Sequence, residues 1–190
     1  LHPESSNYTD VYYEHHLMGK VPTVMAHCIH LSDVEMDRMA ETQTMVSHCP
    51  YSNVNLSSGI APIRKLFERK IPIGLGSDIS GGHIVSMAKV LTEAIGLSKM
   101  KWVEVDQTYA PLTLSEAFYM ATKGGGKFFG KVGSFEKGCE LDALVIDDTT
   151  LFDPNERSLE ERLERWLYVG DDRHIIERYV AGKVAPEPTN

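Results

Sequence analysis

Three short apolar runs in this chain each stop on a side chain that can hold or move a proton. Thr23-Val24-Met25-Ala26 ends on His27, Thr44-Met45-Val46-Ser47 ends on His48, and Ile73-Gly74-Leu75-Gly76-Ser77 ends on Asp78, which opens into Ser80-Gly81-Gly82. Two imidazoles and a carboxylate at the ends of successive strands describe half of a metal-hydrolase site. A zinc ion takes nitrogen, sulfur or carboxylate donors, and a catalytic site keeps one position for water, whose pKa then falls to about 7. Asp78 suits a terminal ligand, since its carboxylate is already ionised and can accept a proton from that water. The same residue also reads as a cap for a helix after Gly81-Gly82. His27 and Cys28 are neighbours in extended chain and point to opposite faces, so one of the two faces a site. Imidazole is the better candidate for orienting an attacking water or steadying a tetrahedral intermediate. A lone histidine after a strand is also a common structural residue, and His48 beside Cys49 poses the same choice. His30 and His83 read as loop positions, and His2, His15, His16 and His174 as exposed.

The elements that would position these groups follow from pattern. Ser32 and Glu35 stand three apart as a capping box, starting a helix that runs to about Thr42. Cys49-Pro50-Tyr51-Ser52-Asn53 is rich in turn formers and reads as a loop. A helix begins near Pro62 with Ile63, Leu66 and Phe67 at helical spacing; its basic residues, Arg64-Lys65 to Arg69-Lys70, read as a solvated face. A strand spans Ile71 to Gly76, and a long helix runs from about Val85 to Met100. Strand and helix alternate with no room for hairpins, which argues for parallel pairing, an α/β sheet, and a site beyond the carboxyl ends of the strands.

After Lys101 the character changes. Thr113 and Glu116 form a second capping box, before a helix lined by Ala117, Met120, Ala121 and Phe128 and weakened by Gly124-Gly125-Gly126. Leu141 to Asp147 reads as a buried strand. Asn155 to Trp166 reads as a charged helix that buries Leu159, Leu163 and Trp166, with Glu161 and Arg165 placed for a surface pair. Ile175 to Val184 reads as strand, turn at Gly182, and strand.

Composition excludes several classes. The chain has 190 residues, 42% of them hydrophobic, enough to bury a sizeable core. With 27 acidic against 19 basic residues the net charge is −8, which opposes binding to nucleic acid or anionic lipid. No apolar run reaches the roughly 20 residues that cross a bilayer. Three scattered cysteines favour a reducing, cytoplasmic setting over a disulfide scaffold. The chain has no Cys-x-x-Cys, His-Glu-x-x-His, Gly-x-Ser-x-Gly or phosphate-loop pattern.

Taken as a set, Val24-Met25-Ala26-His27-Cys28, the run from His48-Cys49-Pro50 through Ser52-Asn53 to Gly59, and Gly74-Leu75-Gly76-Ser77-Asp78-Ile79-Ser80-Gly81-Gly82 resemble the amidohydrolase superfamily. Within it they are most similar to the branch that deaminates guanine. The resemblance implies a (β/α)8 TIM-type barrel with a small β-sandwich, one Zn2+ ion, and hydrolysis of guanine to xanthine and ammonia by zinc-activated water. It implies Asp78 as the metal ligand from the last barrel strand and a proton acceptor, and His27 as the sixth-strand histidine beside water and substrate. Ser52, Asn53, Ser80 and Gly81 would wall the purine pocket.

The family's first-strand His-x-His pair, its fifth-strand histidine and its proton-shuttling glutamate have no counterpart here. Residues 1–130 are therefore expected to be barrel strands six to eight with their helices, and 131–190 the closing part of the β-sandwich with an intervening helix. The expected partners are a purine base, the missing amino-terminal part of the same enzyme, and a second copy in a homodimer. By itself the chain is expected to be inactive and poorly soluble, because three parallel strands cannot close a barrel. The alternatives are a relative acting on another amino- or chloro-substituted heterocycle, and a non-catalytic assembly module.

Overall fold

The computed structural model describes residues 2–186, so Leu1 and residues 187–190, the outer limits of the two expected segments, lie outside the described residues. The first half alternates as the pattern predicts: α1 (Tyr8–Glu14), β1 (Val24–Ala26), α2 (Asp33–Glu41), β2 (Met45–His48), α3 (Pro50–Asn55), α4 (Ile63–Glu68), β3 (Ile73–Leu75) and α5 (Met87–Glu104). Then come α6 (Leu114–Tyr119), continued by a π-helical turn over Met120–Gly124, and β4 (Ala143–Ile146). The chain closes with α7 (Leu159–Val169), β5 (Ile175–Val180) and β6 (Lys183–Val184).

The first three strands form a parallel sheet in the order β1-β2-β3, with Val24 opposite Met45, Ala26 opposite Ser47, Val46 opposite Ile73 and His48 opposite Leu75. This unshifted register brings the carboxyl ends of all three strands to one edge. The last three strands form a separate antiparallel sheet, β4-β5-β6, with a register shift between Val145 and Ile146. The architecture is α/β, as expected.

Side chains alternate across a strand, so the opposed Val46 and Ile73 share a face. That face is covered by Met36 and Met39 of α2, Leu66 of α4, and Leu91 and Ile95 of α5, all buried in one core. Trp166 and Leu167 of α7 join the same core, so this helix, expected with the second segment, packs on the first. Lys89 of α5 secures it by donating to the carbonyls of Leu167 and Tyr168, at 3.2 and 2.9 Å.

On the opposite face Gly74 permits a close approach. A Cβ there would lie 2.8 Å from Met45 Cε and 2.9 Å from Gly125 Cα, and one on Gly124 would lie 2.7 Å from the Ile73 carbonyl oxygen. The glycine run that looked like a helix-weakening break is a contact surface where backbone meets backbone.

Local polar geometry ties the elements together. The capping box of α2 is present, and its Glu35 does a second task. Glu35 Oε2 accepts from Ser32 N–H and Oγ at 2.9 and 2.8 Å, while Oε1 accepts from the Thr9 N–H of α1 at 3.2 Å. Burial pushes the Glu35 carboxyl upward, but the Ser32 and Thr9 donors outweigh it and the net shift is down. Arg38 of α2 also pairs with Asp10 of α1.

Several sequence expectations are corrected. Cys49–Asn53 is not a loop, because Pro50 starts α3, a position where its missing N–H costs nothing. The basic face of α4 is engaged: Arg64 binds both Glu116 oxygens, at 2.5 and 2.8 Å, and the carbonyls of Ala110 and Pro111, while Arg69 pairs with Asp33 and Asp37. Strand β4 is not buried, since Leu144 and Val145 are exposed on a three-stranded sheet. Leu159, expected inside α7, is 79% exposed because it sits at the first turn, beyond the core contact made by Trp166. Glu161 pairs with Arg157, and Arg165 with Asp153, instead of with each other. His174 is held by Thr150 and Asp171 and is not freely exposed.

Two lowered pKa values, of buried His48 and half-buried Glu116, make this fold less stable in acid. Burial, with nearby His27 adding to it, lowers the His48 pKa from 6.5 to about 4, so the unfolded chain takes up a proton that the native one refuses. Stability from this residue is full above pH 6.5 and is lost as pH falls toward 4, by an amount on the order of 3 kcal/mol. Glu116, hydrogen-bonded by Arg64, is lowered from 4.5 to about 2, so its share is lost in a second, more acidic window. Urea midpoints measured against pH should show both windows, with His48→Gln flattening the first and Glu116→Gln the second.

Candidate active site

The three strand ends do different things. At the end of β1 the chain leaves the sheet through two consecutive left-handed residues, His27 (φ 68°) and Cys28 (φ 50°). Neither is glycine, and such conformations cost on the order of 1–3 kcal/mol each unless the surroundings enforce them. Here His27 N–H donates to the Ser47 carbonyl at 2.9 Å and Cys28 N–H to the Ala26 carbonyl at 2.8 Å. The turn sends Cys28 into the core, where burial raises its thiol to about 12, and leaves the His27 ring at the strand-end edge. The expectation that only one of the two faces a site is met by this turn and not by strand alternation.

Beyond β3, Asp78 also adopts a left-handed conformation (φ 45°) and starts a tight turn in which Gly82 N–H donates to the Asp78 carbonyl at 2.6 Å. Asn55 Nδ2 of α3 donates to the Gly81 carbonyl at 2.7 Å and fixes this turn from the side. A Cβ on Gly81 would lie 2.7 Å from both Asp78 Oδ2 and Ser52 Oγ. Gly81 is thus the slot that lets the carboxylate, the turn and α3 meet.

His27 Nε2 faces Asp78 Oδ2 at 3.8 Å, beyond direct hydrogen-bond reach, with the two side chains 40% and 41% exposed. The structure therefore brings together two of the residues singled out in the sequence, from opposite edges of the sheet. On its far side, His27 Nδ1 lies 2.9 Å from Asn53 Oδ1. Ser52 and Asn53 are both buried, and Ser52 Oγ and Asn53 Nδ2 have no hydrogen-bond partner among the described residues. They stand behind the site edge, whereas Ser80 and Gly81 lie on the Asp78 turn itself.

His48 takes no part in this edge. Fully buried and neutral, it forms one wall of a cavity of about 190 Å3 between α4 and α5, lined also by Ile60, Leu97, Lys101, Trp102 and Tyr109. Burial, with Lys65 adding to it, lowers the Lys101 pKa, and its ammonium donates to the Ile60 carbonyl. His30 Nε2–H donates to the Ser58 carbonyl of the α3–α4 loop at 2.9 Å, and His83 packs edge-on against Tyr51. Neither joins His27 and Asp78.

Sequence reasoning missed Asn55 as the clamp on the Gly81 turn. The signal was Pro50, which starts the helix that carries it. Among the described residues no group of three or more His, Cys, Asp or Glu side chains is placed to hold a metal ion. The half-exposed Asp78 carboxylate, which faces the His27 ring across the edge, fits a single zinc ligand in chemistry and access.

Comparison with known proteins agrees with the fold. Guanine deaminase of Dictyostelium discoideum is 39% identical over 189 residues, which span 96% of this chain and 42% of that protein. A crystal structure of guanine deaminase from C. acetobutylicum, with guanine bound in its active site, superposes with a TM-score of 0.92 at 51% identity, covering 96% of this chain and 43% of that one. An adenosine deaminase from Xanthomonas campestris with bound zinc superposes at a TM-score of 0.70 and 26% identity, over 85% of this chain and 36% of its own length. The chain thus spans about two fifths of the length of its closer relatives. Since the amidohydrolase family model matches residues 2–185, through both sheets and the site edge, the chain belongs to the amidohydrolase family.

Proposed function

We propose that this chain is the carboxyl-terminal part of a zinc-dependent enzyme that hydrolyses guanine to xanthine and ammonia. The observation that carries this is the meeting of His27 and Asp78 at one edge of the parallel sheet, 3.8 Å apart, in a fold shared with a guanine-bound deaminase. On this reading residues 1–130 supply barrel strands six to eight and residues 131–190 the end of the small β-sandwich. The other strands and metal ligands come from the amino-terminal part, and the whole acts in the cytoplasm as a homodimer.

Asp78 would hold the zinc, and the ion when bound supplies an acidified water as nucleophile. Asp78 would also be the carboxylate that accepts a proton from the attacking water. His27 Nε2, across the edge, would orient the water toward the purine carbon that loses its amino group. Ser80 and Gly81 wall the substrate on the Asp78 side, and Ser52 and Asn53 support that wall from behind. The second reading, another amino-substituted heterocycle, is favoured by the likeness to an adenosine deaminase and is separated by assaying both bases.

Two outcomes test the reading on the full-length polypeptide. Asp78→Asn should lower bound zinc, measured by elemental analysis, and cut guanine consumption, followed by ultraviolet absorbance, by at least about a hundredfold. Unchanged turnover would remove Asp78 from the site. Gly81→Ala should leave the fold intact but displace the carboxylate, lowering kcat by about ten- to a hundredfold, because misplacement near 1 Å costs that much.

A further inference from the structure

His27 is held from behind by a neutral amide. Its Nδ1 lies 2.9 Å from Asn53 Oδ1, and Asn53, on the first helix after β2, is almost wholly buried. With the Asn53 oxygen toward the ring, the amide accepts and Nδ1 is the nitrogen that carries the proton. In a neutral imidazole the other nitrogen then presents a lone pair. We propose that Asn53 is a positioning residue that fixes His27 in the Nδ1–H tautomer, so that Nε2 offers an acceptor, and not a donor, to whatever lies between it and Asp78. The inference rests on the functional reading above only in naming what occupies that gap.

Three features support the assignment. The bond joins residues 26 apart in sequence, across neighbouring strand ends, so it sets the ring's plane from a second element. The strained turn at His27 and Cys28 fixes the ring's origin but not its rotation about χ2, which the Asn53 bond then settles. The partner is an amide where a carboxylate would serve equally well as acceptor. The carbonyl oxygen of the amide supplies that acceptor from a residue buried behind the ring.

The consequence for recognition is specific. With a carboxylate on one side and a lone pair on the other, the edge between Asp78 and His27 selects donors: a water O–H, or a ring N–H or amino group of the substrate. A ligand that offers only acceptors there would face two lone-pair sets and be rejected.

The test reads the tautomer directly. Full-length protein labelled with 15N-histidine is examined at pH 8, with the His27 signals identified by their loss in His27→Gln. Long-range proton–nitrogen correlations should show a protonated Nδ1 and a bare Nε2. Asn53→Asp, which keeps the acceptor, should preserve that pattern; Asn53→Leu should convert it to mixed tautomers and lower kcat about ten- to a hundredfold with a smaller change in KM. A protonated Nε2 in the unmodified protein, or an unchanged tautomer in folded Asn53→Leu, overturns the proposal. If Asn53→Leu fails to fold, the pattern in the unmodified protein and in Asn53→Asp still decides. The expected tautomer in a protein that does not consume guanine would sink the functional reading and leave this one standing.

Discussion

Everything at the site edge depends on the level register of three parallel strands. A shift of one residue in either pairing would turn each terminal side chain to the opposite face. Because Ala26 lies opposite Ser47 and Leu75 opposite His48, the outer strands finish together, and the chain beyond each can bend toward the other. Both outer exits use left-handed backbone at a non-glycine residue, at His27 and at Asp78. The energy stored in those turns is held by the core beneath: Val46 and Ile73 locked under three helices, and Gly74 pressed against the Gly125 backbone.

The central strand has the opposite role. Its own terminal imidazole, His48, is turned into the interior and kept neutral, while the helix that follows, α3, reaches to both sides. Asn53 touches His27 on one side and Asn55 holds the Gly81 turn on the other. The helix after the middle strand thus ties the chain beyond β1 to the turn beyond β3. This explains why a run of turn-forming residues there is folded as a short, buried helix.

Much of the frame was legible in the sequence, for physical reasons. Parallel strands buried on a face read as apolar runs, the Ser32–Glu35 and Thr113–Glu116 boxes mark helix starts, and strand ends in an α/β sheet point to where chemistry gathers. The illegible parts were set by partners distant in sequence. No local pattern announces that His27 and Cys28 turn left-handed, since neither is glycine, or that Arg64 crosses to Glu116. The resemblance implies Ser52 and Asn53 in the pocket wall, and no local pattern announces that α3 buries both side chains. Leu159 and Leu144 followed a helix or strand pattern that neighbouring surfaces do not cover.

Glu35 has an implication for how the leading segment behaves. One carboxylate closes the start of α2 and also receives the Thr9 N–H of α1, while Arg38 and Asp10 fasten the next turn of each. Peeling α1 away would strand a desolvated oxygen and a guanidinium at once, so α1 and α2 open or stay closed together. The contact works as a buckle: opening it loosens α2, whose Met36 and Met39 lie in the same core as Val46 and Ile73 of the parallel sheet.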